Sequence, residues 1–235
     1  MTNHLLTSLS RRRLEQHYRD GFWKGDTIYA LVANQAKQTP DKFAIRDRSR
    51  RLTYRQLIQE ADVLARALQH RGVGPGQRVA VWVASRVEVA VAVLACSRNG
   101  YVCCPSLHRD HTVGDVGALL SRVRAAVLIT QRGFGADSDR KDIVGHAEAI
   151  PSIQHVYVLG SVDEHQGAPL ALPWSQDAAA EPNPTPPDND PDSVVYLAFT
   201  SGTTGVPKGV MHTDNTLLAN ARTISKDWSI DATSN

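Results

Sequence analysis

The residues from Thr200 to Lys208 combine hydroxyl groups, glycines and one lysine in a pattern that suits phosphate binding. Gly202 and Gly205 lack a Cβ atom, so the backbone there can turn tightly and approach an anion. Hydroxyl groups and exposed backbone N–H groups donate hydrogen bonds to phosphate oxygens, and Lys208 adds a full positive charge. The pattern therefore predicts a loop that binds phosphate groups.

Two other interpretations of this segment are a polar turn between two strands and a Walker A loop. Because Gly and Thr are common in turns, the short string Gly-Thr-Thr-Gly alone favours a turn. The longer combination of a strand, a hydroxyl cluster, two spaced glycines and Pro-Lys-Gly favours phosphate binding instead. A Walker A loop has the form Gly-x4-Gly-Lys-Ser/Thr. Here Gly202 and Gly205 are too close together and Pro207 precedes Lys208, so a P-loop kinase or GTPase is not expected.

The segment Thr200 to Val210 resembles the phosphate-loop signature of the AMP-forming acyl-CoA synthetases, or adenylate-forming ligases. It matches Thr-Ser-Gly-Thr-Thr-Gly-x-Pro-Lys-Gly-Val at every fixed position, and Tyr196 fits as the tyrosine that opens the preceding strand. Weaker similarities in the same order extend over residues 20–235, and they are closest to acid-CoA ligases of the cyclohexanecarboxylate or medium-chain type. Asp214 departs from the pattern, since many members have His there.

This resemblance implies ATP-dependent activation of a carboxylic acid. The carboxylate attacks the α-phosphorus of ATP to give acyl-AMP and pyrophosphate, with Mg²⁺ sharing the phosphate charge, and a thiol, usually coenzyme A, then displaces AMP. The residues that by resemblance hold the β- and γ-phosphates are Thr200, Ser201, Gly202, Thr203, Thr204, Gly205 and Lys208.

Several family features are not found in these residues. They are the later adenine-binding segment, the aspartate that binds ribose, the hinge, and the small C-terminal domain with the adenylation lysine. We therefore expect the N-terminal part of an acid-CoA ligase, with its catalytic lysine outside this chain and no activity of the part alone. The alternative is a non-catalytic module that binds nucleotide or another protein. A phosphotransferase is disfavoured by the loop spacing.

Two residues after the loop have competing interpretations. His212 is an acid–base candidate, but a structural histidine is favoured. Asp214 could assist a metal, but helix capping is favoured. The remaining histidines considered are scattered and indicate no metal site: His108, His111 and His155.

Charge and composition limit the other classes of function. The chain has 235 residues and a net charge of +2. The basic cluster Arg11 to Arg13 is interpreted as a solvated helix face, so no nucleic-acid partner is expected. No apolar run is long enough for a membrane span or a secretory signal. The cysteines, Cys96, Cys103 and Cys104, lack metal-ligand spacing and suit a reducing cytoplasm. Cys103 and Cys104 fall in a predicted buried strand, where we expect free cysteines to pack as small hydrophobic side chains. The oligomeric state is left open.

The hydrophobic pattern predicts an α/β fold with a mostly parallel sheet flanked by helices, which the resemblance identifies as the N-terminal part of the large domain of these ligases. Apolar strands alternate with amphipathic helices. The predicted strands are 43–48, 52–54, 78–84, 101–105, 125–130, 155–159 and 194–199. Capping patterns predict helix starts at Thr53, Ser85 and Thr112, and at Thr213 or Asp214.

Composition divides the chain into four predicted units. Residues 1–25 form an N-terminal helical arm, and 26–162 form an α/β subdomain. The segment 163–192 carries 7 of the 12 prolines and several acidic residues, which predicts a solvent-exposed connector. Residues 193–235 provide a strand, the phosphate loop and a helix that begin the next subdomain.

Overall fold

A computed structural model of the chain describes residues 10–105, 108–160, 172–200 and 207–231. The helices are α1 (Arg11–Arg19), α2 (Ile28–Gln38), α3 (Tyr54–His70), α4 (Val87–Asn99), α5 (Val113–Val123), α6 (Ile143–Glu148), α7 (Ser175–Ala179) and α8 (Asp214–Asp227). The strands are β1 (Phe43–Arg46), β2 (Arg51–Thr53), β3 (Arg78–Trp82), β4 (Val102–Cys104), β5 (Ala125–Gln131), β6 (His155–Leu159), β7 (Val194–Thr200) and β8 (Lys208–Thr213).

Six of these strands form one sheet in the order β6-β5-β3-β4-β7-β8. The pairs from β6 through to β7 are parallel, and β8 alone runs antiparallel, against β7. Strands β1 and β2 form a separate antiparallel pair. The predicted α/β class with a mostly parallel sheet is therefore confirmed.

Helices cover both faces of the sheet, because the side chains of its central strand alternate between two apolar cores. Val79 and Val81 of β3 pack with buried residues of α3, α4 and α7. Ala80 and Trp82 point the other way and pack with buried residues of α5 and α6. A strand buried on both faces has an almost continuous apolar sequence, which explains why β3 was recognisable.

Three of the predicted helix starts carry capping boxes. Thr53, Thr112 and Thr213 each accept a hydrogen bond from the backbone N–H three residues on, and the side chain at that position bonds back. These reciprocal bonds satisfy N–H groups that the first helical turn leaves without partners. Thr213 and Asp214 were the two predicted alternatives for the N-cap of α8, and in the structure the N-cap is Thr213.

The predicted capping box at Ser85 is wrong. Helix α4 starts one residue later, after Arg86, whose side chain makes no capping bond. The carboxylate of Asp47 instead accepts the N–H of Val87 at 2.9 Å. Glu88 is fully buried and bonds to the guanidinium groups of Arg50 and Arg86. The Ser-x-x-Glu pattern was misleading because this glutamate belongs to a buried charge cluster.

The expectation of a solvent-exposed connector is also wrong for its middle part. Helix α7 lies there, Trp174 is fully buried, and Asp177 accepts hydrogen bonds from Arg71 and from Tyr157. A short helix without its own periodicity can still be fixed by one large buried side chain and an ion pair that is buried on the Asp177 side only. Residues 163–171 lie outside the described residues, and the four-unit division stays a prediction.

The basic cluster Arg11 to Arg13 lies on α1, which buries no residue, so the predicted solvated helix face is confirmed. Across the described ranges, none of the helices combines the length and the apolar character needed to cross a membrane.

Candidate functional site

The predicted phosphate loop is the connection of a β-hairpin. Strands β7 and β8 pair antiparallel, and their last matched pair sets Thr200 opposite Lys208. The Thr200 hydroxyl lies 3.4 Å from the Lys208 carbonyl oxygen and donates to it. Both residues are exposed. The sequence predicted β7 but missed β8, because KGVMHT shows no strict alternation of apolar and polar residues.

The structure thus places two of the seven predicted site residues, and it brings them side by side at one end of the hairpin. The other five lie outside the described residues: Ser201, Gly202, Thr203, Thr204 and Gly205. Their contribution to phosphate binding stays a prediction.

The hairpin end lies at the carboxyl edge of the parallel sheet. Cys103 of β4 pairs in parallel with Tyr196 of β7, so Thr200, the last residue of β7, lies at the same edge of the sheet as the carboxyl ends of β3, β4 and β5. Ligands of open α/β sheets bind at this edge. Thr200 and Lys208 are therefore in the region where this architecture places binding sites.

A helix on one face of the sheet contacts the end of the predicted loop. The guanidinium Nη1 of Arg122, in the last turn of α5, donates to the carbonyl oxygen of Pro207 at 2.9 Å. Pro207 immediately precedes Lys208. Sequence analysis gave no signal for Arg122, because 85 residues separate the two partners.

At the other end of β8, Asp214 is fully buried and joins three helices. Its carboxylate accepts the N–H of Ile28, the first residue of α2, at 3.0 Å, and the hydroxyl of Ser97 on α4 at 3.0 Å. Asp214 thus caps α2 rather than its own helix, α8. Burial, the largest effect, raises the pKa of Asp214 to about 6, although the bonds from Ile28 and Ser97 lower it.

The metal interpretation of Asp214 finds no support in the ranges that the structure describes, where no cluster of three or more His, Cys, Asp or Glu could hold a metal ion. The predicted role as a helix cap is right in kind, but its helix is distant in sequence. A capping pattern in the sequence indicates only partners that lie close together along the chain.

Asn215 fastens the start of α8 to the N-terminal arm. Its side-chain oxygen accepts the N–H of Lys24 at 3.0 Å, and its amide nitrogen donates to the Tyr18 hydroxyl and to Asp192, each at 2.9 Å. Asn215 is fully buried, and buried amides need such partners. The arm therefore contributes to fixing the helix that follows β8.

His212 packs as a part of the hairpin. Its Nδ1 lies 3.4 Å from the Thr216 hydroxyl, and its ring stands edge-on to Tyr196 with the centroids 6.0 Å apart. These contacts are those of a packed side chain, and the structural role predicted for His212 stays a prediction.

Cys96, Cys103 and Cys104 are free and buried, which confirms the burial predicted for Cys103 and Cys104. A hydrogen bond with Cys96, together with burial, raises the pKa of the Cys103 thiol, and burial raises the pKa of Cys104.

An open cleft of about 950 Å³ also lies at the carboxyl edge. Its charged lining residues are Arg46, Asp47, Arg48, Arg86 and Arg109. The charge of Arg86 is offset by its ion pair with Glu88. The lining of the cleft therefore carries an excess of positive charge. Within the described ranges, none of the buried polar side-chain atoms that lack a partner belongs to this lining.

Comparison with known proteins gives a match to a family described as AMP-binding enzyme, over residues 32–234. The salicyl-AMP ligase / salicyl-S-ArCP synthetase of Mycobacterium tuberculosis is 30% identical over 210 residues, which cover 86% of this chain and 35% of that protein. The acetyl-coenzyme A synthetase of Halorhodospira halophila is 32% identical over 229 residues, covering 86% and 34%.

The fold comparison agrees. The apo structure of MbtA from Mycobacterium smegmatis superposes with a TM-score of 0.75 at 27% identity, and the match covers 94% of this chain and 40% of that one.

The chain spans about a third of the length of the two curated relatives named above. They are of mixed kinds and do not point to cyclohexanecarboxylate ligases. From the family match and the shared architecture, the chain belongs to the AMP-binding enzymes, the adenylate-forming superfamily, and represents the N-terminal portion of their large domain.

Proposed function

We propose that this chain binds the phosphate end of ATP for an AMP-forming acid–thiol ligase. The observation that carries the proposal is the β7–β8 hairpin, which sets Thr200 beside Lys208 at the carboxyl edge of the sheet. A hydroxyl group and a lysine ammonium side by side at one end of a hairpin suit the β- and γ-phosphates. The proposed phosphate contacts are Thr200, Ser201, Gly202, Thr203, Thr204, Gly205 and Lys208.

In this proposal, the residues of the loop act chiefly on the leaving group. Attack of a carboxylate on the α-phosphorus releases pyrophosphate, on which negative charge develops. Donors that are already fixed in place stabilise such charge without reorganisation during the reaction. Lys208 supplies the positive charge on the protein side, and Mg²⁺ bound to the phosphates would share the rest of their charge.

We propose coenzyme A as the thiol that accepts the acyl group. The name of one relative, acetyl-coenzyme A synthetase, supports this choice, whereas the name of another, salicyl-S-ArCP synthetase, gives ArCP in place of coenzyme A. The proposed substrate is a carboxylic acid. The resemblance to ligases of the cyclohexanecarboxylate or medium-chain type is the basis for proposing an acid-CoA ligase, and it leaves the acid itself open.

Carboxylate-dependent exchange of labelled pyrophosphate into ATP tests the reaction class. The assay uses the longest product of the reading frame that contains this chain, with a broad panel of aliphatic and aromatic acids. We expect exchange with at least one acid, and AMP as the nucleotide product once coenzyme A is added. Absence of exchange with the whole panel would overturn the ligase assignment. ADP as the product would indicate a phosphotransferase.

A second form of this assay distinguishes the two possible acceptors of the acyl group, coenzyme A and a carrier protein. If acyl-AMP accumulates with coenzyme A and is consumed only by a carrier protein with a phosphopantetheine arm, the coenzyme A proposal is wrong while the adenylation proposal stands.

A further inference from the structure

Strand β8 is held unequally at its two ends. At its carboxyl end, Asp214 and Asn215 are fully buried and bonded to the arm, α2 and α4. At its amino end, Lys208 is exposed and pairs only with β7, since β8 is the edge strand of the sheet as far as the structure describes it. An edge strand has hydrogen-bonding groups without strand partners on one side. The Lys208 end is therefore the end that needs a further contact.

Arg122 makes that contact from α5, a helix that is packed tightly against the sheet. Helix α5 buries Val116, Leu119 and Leu120 against the sheet. Its carboxyl end is also attached to the sheet by Arg78 of β3, whose guanidinium donates to the carbonyl oxygen of Val123 at 2.5 Å and to that of Arg124 at 2.9 Å. The residue that precedes these carbonyls is Arg122, so its backbone has little freedom to move.

From this base, the Arg122 guanidinium donates to the Pro207 carbonyl oxygen at 2.9 Å. The acceptor belongs to the peptide group that leads directly into Lys208. No second hydrogen bond of this guanidinium occurs among the described residues. The contact joins a rigid helix to the point where the predicted phosphate loop meets β8.

We propose that Arg122 is a positioning residue: it fixes the peptide before Lys208 and so holds the lysine ammonium where it meets the phosphates. The inference rests on the phosphate-binding function proposed above. Arg122 acts through Lys208 and touches no ligand atom.

A hydrogen bond from a charged donor to an exposed carbonyl has a modest effect. We expect Arg122→Ala to weaken MgATP binding about fivefold to tenfold. Arg122→Lys keeps a charged donor on a slightly shorter stem, so it restores part of the affinity. Because Arg122 is on the surface, we expect the urea midpoint of unfolding to change little.

The test is isothermal titration calorimetry with MgATP on the whole 235-residue chain. The variants are Arg122→Ala, Arg122→Lys, Lys208→Ala and the double variant Arg122→Ala/Lys208→Ala. Arg132→Ala is the matched control, since it removes the same charge from another exposed arginine, which directly follows β5 and so lies at the carboxyl edge of the sheet. A general electrostatic effect would weaken binding equally in Arg122→Ala and Arg132→Ala.

If Arg122 works through Lys208, its removal has no further effect in the Lys208→Ala background, because the two losses are not additive. Additive losses would mean that Arg122 contacts the ligand itself, which overturns the inference. An affinity of Arg122→Ala within twofold of the wild-type value would overturn it as well, while Lys208→Ala still loses binding. Absence of MgATP binding by the wild-type chain would overturn the proposed function and this inference together.

Discussion

Replacing Asp214 by asparagine has a calculable effect on the pH dependence of stability. Burial raises the pKa of this carboxyl from 3.8 to about 6 in the folded chain. Each pKa unit corresponds to about 1.4 kcal/mol, so keeping Asp214 ionised costs the folded state about 3 kcal/mol relative to the unfolded chain. Asp214 has no exposed surface, so solvent screening does not reduce this figure much.

The sign follows from proton binding. Between about pH 4 and about pH 6, the folded protein holds a proton on Asp214 more often than the unfolded protein does. The unfolding free energy therefore falls as the pH rises through this range, and above it Asp214 adds no further slope. An asparagine at this position would carry no charge, and its side-chain oxygen can still accept the N–H of Ile28, so Asp214→Asn lacks this contribution.

Urea unfolding monitored by circular dichroism, at intervals between about pH 4 and about pH 7, measures the effect. We expect the stability of the wild type relative to Asp214→Asn to fall by about 2.5 kcal/mol over this range, since a small part of the effect is already lost at about pH 4. Asp41→Asn, which removes a largely exposed carboxylate, is the control for a general loss of one negative charge. A stability difference that stays constant within about 0.5 kcal/mol would refute the assignment of a raised pKa to Asp214.

Two further predictions concern the core. Glu88→Gln leaves the guanidinium groups of Arg50 and Arg86 without their buried carboxylate, so we expect a loss of about 3 kcal/mol in urea unfolding; a loss no larger than that of Glu15→Gln, from an exposed pair, would contradict it. The three cysteines are buried, so at about pH 8 we expect no reaction with a thiol-specific disulfide reagent in the folded chain and full reaction in denaturant. Rapid labelling of the folded chain would show that their burial is wrong.

The parts of the fold that the sequence predicts well are those with local causes. The capping boxes at Thr53, Thr112 and Thr213 are formed by residues three positions apart. The central strands β3 and β5 are short apolar runs, which a sheet covered on both faces requires. Such features need no knowledge of distant partners.

The features that sequence analysis missed depend on partners far along the chain. Glu88 has the spacing of a cap, but its ion pair with Arg50 spans 38 residues and draws it into the core. Asp214 caps a helix that starts 186 residues earlier, and the connector is anchored partly by an ion pair between Arg71 and Asp177. No local pattern distinguishes these residues from ordinary caps and linkers.

In the candidate site too, features with local causes were predicted from the sequence, and features that depend on distant partners were not. The string from Thr200 to Lys208 predicted phosphate binding because its residue types and spacing are local. The antiparallel strand β8, and the contact of Arg122 with Pro207, depend on packing between separate elements. The loop signature therefore identifies the family, whereas the means by which the loop is held emerged only from the fold.

Calorimetric titration of the chain with MgATP, comparing the wild type with Lys208→Ala, tests the central claim most directly. Lys226→Ala, which removes a lysine in the last turn of α8, is the matched control. A charge-assisted contact is worth about 1.5–3 kcal/mol, so we expect Lys208→Ala to weaken a micromolar affinity about tenfold to a hundredfold, with Lys226→Ala near the wild-type value. Equal affinities in all three proteins, or no binding by the wild type, would contradict the proposal that this hairpin binds the phosphates of ATP.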